Sequence, residues 1–288
     1  MRALLFIMWC LHFLPLPLLG RLGEVIGSGL FWAMGSRRHI TLVNLRLCFP
    51  EWDEAQHQLV AKQHFQAYAR SVLERGILWW SSEARLKRLI QLDPAVPLAA
   101  IAAGPTILLC PHFVSLDVAG VAVMLETSLC SIYTKQRNAA FDAALKNGRT
   151  RFRPIQLFCR ADGVKPIIRA MRNGDPFFML PDMDFGAKDA EFVPFFGIPA
   201  ATLTAPARIA AATGAKVIPV IATVLPNYQG WKVTFYPSWE NYPGDDILAA
   251  TRHMNAFLET CIRATPAEYF WSHRRFKTRP QGQASVYK

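Results

Sequence analysis

The chain has 288 residues, enough for one large core with a small accessory segment. Its hydrophobic fraction of 52% is high for a soluble enzyme, and its net charge of +11 asks for an anionic partner: nucleic acid, an anionic membrane face or a phosphorylated substrate. The six cysteines show no CxxC pair and no framework spacing, which excludes a disulfide scaffold or a zinc site and leaves reduced core thiols.

Residues 3–19 carry no formal charge and are rich in leucine and aromatics, but His12, Pro15 and Pro17 interrupt them. The run is short of the roughly 20 apolar residues that a span requires. It lacks a small-x-small cleavage site before Arg21 and Glu24, so it does not read as a signal peptide. A second apolar patch, 25–34, ends at Arg37-Arg38-His39. Apolar residues bounded by arginines predict an N-terminal segment, residues 1–45, that lies in or hooks through an anionic membrane surface. The competing reading is a buried helical hairpin. The remaining residues, 46–288, form the second unit of this division.

From Asp53 the pattern turns helical. Asp53 with Gln56 makes a capping box, and Ala61, Phe65, Tyr68 and Val72 recur at helical spacing as far as about residue 77. Trp79-Trp80 suits either an interfacial anchor or, more commonly, packing. Beyond residue 104 strands and helices alternate. Strands are expected at 106–110, 129–134, 155–158, 177–180, 216–224 and 231–236. Asn138 caps a helix that Gly148 closes, Asp162 caps one that Gly174 closes, and 204–213 and 246–264 are two more. The fold class is therefore α/β: a largely parallel central sheet flanked by helices, with a helical N-terminal segment.

The stretch Leu108-Leu109-Cys110-Pro111-His112-Phe113-Val114-Ser115-Leu116-Asp117 organises this half. An apolar strand stops at Pro111, and Ser115 caps the helix that follows. His112 then lies in a strand-to-helix turn and Asp117 in the first helical turn. On one helix two residues five apart point about 140° away from each other. They meet only if the histidine lies off the helix, which the proline and the cap provide. An imidazole backed by a carboxylate at a strand's carboxyl end is placed as a general base in the crevice where open α/β sheets bind ligands. A histidine at a core edge and an aspartate at a helix N-terminus is the plainer alternative.

A second acidic knot, Leu180-Pro181-Asp182-Met183-Asp184-Phe185-Gly186, follows the strand at 177–180 and opens into the same crevice. Two close carboxylates need cations or backbone donors. Lys135, Arg137, Arg149 and Arg160 flank other strand ends and can supply that charge, or the knot is a locally bonded turn. The phenylalanines of 191–199 suit an acyl-chain wall or a core loop equally. Phosphate-loop, dinucleotide and serine-elbow motifs are absent, the histidines lack metal spacing, and the scattered basic residues carry no RNA-binding motif.

His-x4-Asp at 112–117, then Leu-Pro-Asp-Met-Asp-Phe-Gly, then Phe-Val-Pro-Phe-Phe-Gly-Ile-Pro-Ala-Ala-Thr, then Ala-Lys-Val-Ile-Pro-Val form an ordered set. With Asn44-Leu45-Arg46-Leu47-Cys48-Phe49-Pro50-Glu51 and the Glu268–Pro280 segment, that set resembles the lysophospholipid acyltransferase superfamily, closest to the late acyltransferases of lipid A. The resemblance runs from about Arg37 to Pro280. It implies an O-acyltransferase without cofactor or metal, at the cytoplasmic face of the inner membrane. Its partners would be an acyl carrier protein as donor, a lipid A precursor as acceptor and the anionic membrane surface, with no nucleic acid. His112 would be the base with Asp117 behind it. Lys135, Arg137, Arg149, Asp182 and Asp184 would contact substrate. Many relatives have glutamate at the Asp117 position and Asp-Gln-Asp where this chain has Asp182-Met183-Asp184, a change that removes one amide. A lysophospholipid or aminolipid acceptor, and a non-catalytic lipid-binding protein, are the alternatives.

Overall fold

The computed structural model describes residues 2–93, 101 and 103–288. Helices α1 (Arg2–Leu11), α2 (Leu16–Ala33) and α3 (Gly35–Cys48) precede α4 (Glu54–Trp80) and α5 (Glu83–Leu89). Then follow β1 (Ile90–Asp93), β2 (Thr106–Leu109), α6 (Leu116–Glu126), β3 (Leu129–Tyr133), α7 (Ala139–Arg149), β4 (Ile155–Cys159), α8 (Lys165–Arg172) and β5 (Phe177–Met179). The chain continues through β6 (Ala190–Phe195), β7 (Ile198–Leu203), α9 (Ala205–Thr213), β8 (Lys216–Val224), β9 (Trp231–Phe235) and α10 (Ile247–Ala264).

Local chemistry explains most of the boundaries. The Asp53 carboxylate accepts from Gln56 N at 2.7 Å and starts α4, and Asn138 does the same for α7 through Phe141 N. Two expected caps differ. Ser115 sits at the start of α6 without a side-chain bond, and Asp162 bonds Cys159 N inside a 3-10 turn while α8 begins later, at Lys165. Helix α4 runs three residues beyond its expected end. Along it Ala61 and Phe65 are buried, while Tyr68 is exposed and stacks on Phe270.

Seven strands form one sheet in the order β1-β9-β8-β2-β5-β3-β4. All its pairings are parallel except β8 with β9, so β1 and β9 run against the rest. Successive strand residues face opposite sides. Leu108 and Phe178 meet α4, α6 and α7 through Leu78, Val118 and Leu145. Ile107, Phe177 and Met179 meet α8, α9 and α10 through Ile167, Ile209 and Leu258. The stretch 190–203, which the sequence left between acyl-chain wall and core loop, is an antiparallel hairpin, β6 with β7, turning at Phe196 (φ 50°) and Gly197 (φ 75°). Asn255 on α10 binds its Pro194 carbonyl.

The N-terminal helices pack into this body. A Cβ on Gly23 would meet Arg70 Cα at 2.7 Å and one on Gly27 would meet Gln66 Cα at 2.4 Å, so only glycine lets α2 lie this close to α4. Met8, Leu16 and Leu19 are buried with Ile77 and Ile90. Among the described residues no helix is long and apolar enough to cross a membrane. Trp79 is buried at 5% exposure and meets Phe141 edge to face, and Trp80 packs partly buried beside it, so the tryptophan pair is packed.

Candidate active site

The site stands at the carboxyl ends of β2 and β5, where strand register brings distant residues together. Leu109 lies beside Met179, so three residues further along each strand His112 falls beside Asp182. His112 Nδ1 is 2.7 Å from Asp182 Oδ1, and the His112 main-chain N–H donates to both carboxylate oxygens at 3.1 and 3.0 Å. A carboxylate only accepts, so Nδ1 carries the proton and Nε2 keeps its lone pair. The His112 side chain is 17% exposed and that of Asp182 is fully buried. Burial by itself raises the Asp182 carboxyl. The charge and hydrogen bonds of His112, with the Arg275 guanidinium further off, outweigh it and hold the group below its ordinary value.

This corrects the pairing expected from sequence. Asp117, not Asp182, was to hold the imidazole. Instead the Asp117 carboxylate accepts from Arg149 Nη2 at 2.7 Å and from Arg75 Nε at 2.9 Å. Burial pushes Asp117 up, but two guanidinium groups pull it far below the usual carboxylate range. The physical reason is that the neighbouring strand fills the Nδ1 side of His112 before the helix can reach it. Arg75 on α4 was missed, since nothing in its local helical pattern marks it.

The C-terminal segment straps the His112 loop in place. Phe270 N donates to the His112 carbonyl at 2.9 Å and Val114 N to the Glu268 carbonyl at 2.8 Å. Glu268 is 8% exposed, and burial pushes its carboxyl up to about 7. Asp184 was expected to meet substrate. It is buried in the strap instead, accepting from Gly186 N, Thr278 N and Thr278 Oγ1 and donating its own N–H to His273 Nε2. Lys135 and Arg137 are exposed on the loop after β3 and lie outside the cavity lining, although Thr134 and Gln136 line it.

The cavity that His112 borders has a volume of about 820 Å³, in the upper part of the range for ligand sites. Asp117, Arg75 and Arg149 lie in its lining with His112, as do Arg160 and Arg208 near two helix starts, and most of the remaining wall is aliphatic or aromatic. The hairpin phenylalanines 192, 195 and 196 take no part in it. Four cysteines are buried and Cys10 and Cys159 exposed, all unpaired. Among the described residues no cluster suits a metal ion. A proton acceptor in the wall of a largely apolar cavity, with guanidinium groups in the same lining, fits acid–base chemistry on a molecule that is part hydrocarbon and part anion.

The family model for bacterial lipid A biosynthesis acyltransferases matches residues 2–278. The lipid A biosynthesis lauroyltransferase of Escherichia coli K12 is 30% identical over 284 residues, 98% of this chain and 92% of the relative. The palmitoleoyltransferase of the same organism is 28% identical over the same shares, and its myristoyltransferase 29% identical over 94% of this chain and 84% of the relative. The chain is an acyltransferase and belongs to the bacterial lipid A biosynthesis acyltransferase family.

Proposed function

We propose that this protein moves a fatty acyl chain from a thioester on acyl carrier protein to a hydroxyl of a lipid A precursor, by direct transfer, with His112 as general base and Asp182 behind it. The observation that carries the reading is the His112–Asp182 contact in the wall of a largely apolar cavity. Nε2 takes the hydroxyl proton as the oxygen attacks the thioester carbonyl. The tetrahedral centre then collapses, the C–S bond breaks, and the carrier thiolate takes the proton back from the imidazolium. Asp182 holds the tautomer and stabilises the imidazolium as it forms. No acyl-enzyme is formed, since no serine or cysteine nucleophile is required. Arg149 and Arg75, positioned by Asp117, face anionic oxygens of the acceptor, since a guanidinium binds phosphate bidentately. The charge of +11 steers an acidic carrier protein to the site.

The enzyme works at the cytoplasmic face of the inner membrane, lying on it through α1 and α2. Phe6, Phe13, Val25 and Trp32 are between 62% and 70% exposed, and the Arg38 guanidinium lies over the Trp32 ring at 5.5 Å, placed for anionic headgroups. The purified enzyme, given radiolabelled lauroyl-acyl carrier protein and a lipid A precursor, should label the precursor. His112→Ala should lower that rate by about 10²- to 10⁴-fold without changing the folded content. Ordinary turnover in the variant removes the mechanism.

A further inference from the structure

We propose that the cavity is two separate hydrocarbon sites, one on each face of the sheet, that meet beside His112. The enclosed one takes the donor's acyl chain and the open one a hydrocarbon chain already present on the acceptor. This rests on the function proposed above and names how both of its substrates are held.

The argument starts from β5. Phe177 and Met179 point to one face of the sheet and Phe178 and Leu180 to the other, yet all four line the same cavity. Strand β5 is hydrogen-bonded to β2 on one side and β3 on the other. Strands in such a ladder lie about 4.8 Å apart, which no alkyl chain threads. The cavity therefore divides around the sheet into two lobes that join at the strand ends.

The first lobe lies under α6 and α7. Gly120 and Met124 on α6, Leu145 on α7 and Leu129 at the start of β3 line it, and Trp79 from α4 helps to close it. Lining residues run from Tyr133 to Leu129, four strand steps or about 13 Å. The second lobe is a groove between α8 and α9, with Ile167, Ile168 and Ile209 on its walls. Its lining runs from Ala205 to Ala212, seven helical steps or about 10 Å. A carbon–carbon bond of about 1.5 Å at a tetrahedral angle advances a chain by about 1.25 Å, so each lobe takes roughly eight to ten extended carbons.

The two mouths differ. At the first, Arg75 and Arg149 are held by Asp117. At the second, Arg160 and Arg208 are exposed and make no ion pair with any described residue. An acceptor keeps its anionic headgroup outside while one chain enters, which suits the groove bordered by Arg160 and Arg208, with Arg75 and Arg149 at the junction beside His112 still in reach of the headgroup. A donor chain leaves its carrier behind and is sheltered best in the enclosed lobe.

The experiment plugs each lobe alone. A Cβ on Gly120 would meet Phe178 only at 3.9 Å, and Ala212 is exposed, so Gly120→Leu and Ala212→Trp are accommodated by the fold. With acyl carrier protein donors of 8 to 16 carbons, Gly120→Leu should move the preferred donor to shorter chains and leave the acceptor KM unchanged. Each methylene denied burial lowers affinity about fourfold. Ala212→Trp should raise the acceptor KM at least about tenfold and leave the donor profile unchanged, by the same scale. Independently of turnover, wild type should bind two molecules of cis-parinaric acid and each variant one. A single equivalent in wild type overturns the two-site reading, as does a shift in donor profile from both variants, and exchanged effects overturn the assignment of chains. Two equivalents in a protein that transfers nothing to lipid A precursors leave the two sites standing and remove only the function they rest on.

Discussion

Replacing Asp182 by asparagine separates the observed pair from the one that the motif spacing suggests. Two N–H groups of His112, from the ring at 2.7 Å and the main chain at 3.0 and 3.1 Å, converge on the two oxygens of one carboxylate. Asparagine brings one acceptor and one donor. If its oxygen keeps the main-chain N–H, its NH₂ faces the ring and Nδ1 becomes the acceptor. The proton then moves to Nε2, where the base must be free. The loss expected is that of a positioned base, about 10² to 10⁴ in kcat. The other orientation leaves the buried main-chain donor unmade, at about 1–3 kcal/mol, or several degrees of Tm. Asp117→Asn is the control. It frees Arg75 and Arg149 while leaving the His112 contacts intact, so it should raise the acceptor KM and lower stability with a smaller effect on kcat. Steady-state kinetics on both variants, with thermal melts alongside, decide the matter. Asp182→Asn retaining kcat within about threefold, or Asp117→Asn matching its loss at unchanged KM, refutes the assignment.

Three further outcomes follow from particular residues. Glu268 has its carboxyl raised from 4.5 to about 7, so its neutral form stabilises the fold below pH 4.5 and that contribution is lost as pH rises through 7; it amounts to about 3 kcal/mol. Melting temperature should therefore fall between pH 5 and 8 in wild type, and Glu268→Gln, which still accepts from Val224 N, should flatten that fall. Gly27→Val should destabilise by about 1–3 kcal/mol, because the new atoms meet α4 backbone that cannot swing aside, and urea melts will show it as a lower midpoint. Phe6→Glu with Phe13→Glu should abolish sedimentation with phosphatidylglycerol vesicles while leaving the far-ultraviolet spectrum unchanged, since both rings are more than 60% exposed.

The alternation of strands and helices was legible because β2, β3, β5 and β8 are apolar runs bounded by glycine, proline or capping residues, and burial on both faces demands that composition. His112 was legible for the same reason: Pro111 marks where its strand must end. Its partner was not. The Asp182 contact depends on the register of Leu109 with Met179, a pairing of segments 70 residues apart that no local spacing encodes. Arg75 was hidden likewise, since it reaches Asp117 across 42 residues from a helix whose own pattern is unremarked there. Asp184 misled because an acidic residue near a strand end looks the same whether it faces a ligand or three donors of its own chain. The hairpin at 190–203 escaped because its turn uses Phe196 in the left-handed region, where phenylalanine is rarely found. At the N-terminus the segment expected to lie on a membrane is a set of helices with Met8, Leu16 and Leu19 buried, and the two glycines four apart, which seat α2 on α4, went unread.

The position of the base also bears on why the apolar N-terminal helices belong to the same body as the site. The general-base role proposed for His112 requires it to be held within about 0.5 Å, yet it sits on a short turn with little structure of its own. Its rigidity comes from both sides: Asp182 grips its ring and amide, and the 268–270 strap grips its carbonyl and the Val114 amide. The strap is fixed in turn by Val224 N on Glu268 and by Asn44 on the carbonyls of Trp271 and His273. Asn44 belongs to α3, and Arg70 of α4 joins Glu74 of its own helix to Glu24 of α2. Asn44 thus ties α3 directly to the strap that holds the His112 turn, while Arg70 ties α2 to α4. The Asn44 bond to the Trp271 carbonyl is buried, so breaking it costs about 1–3 kcal/mol. Helix α3 and the turn that holds His112 therefore keep a fixed relation, and the exposed apolar residues of α1 and α2 are carried on the same packed body.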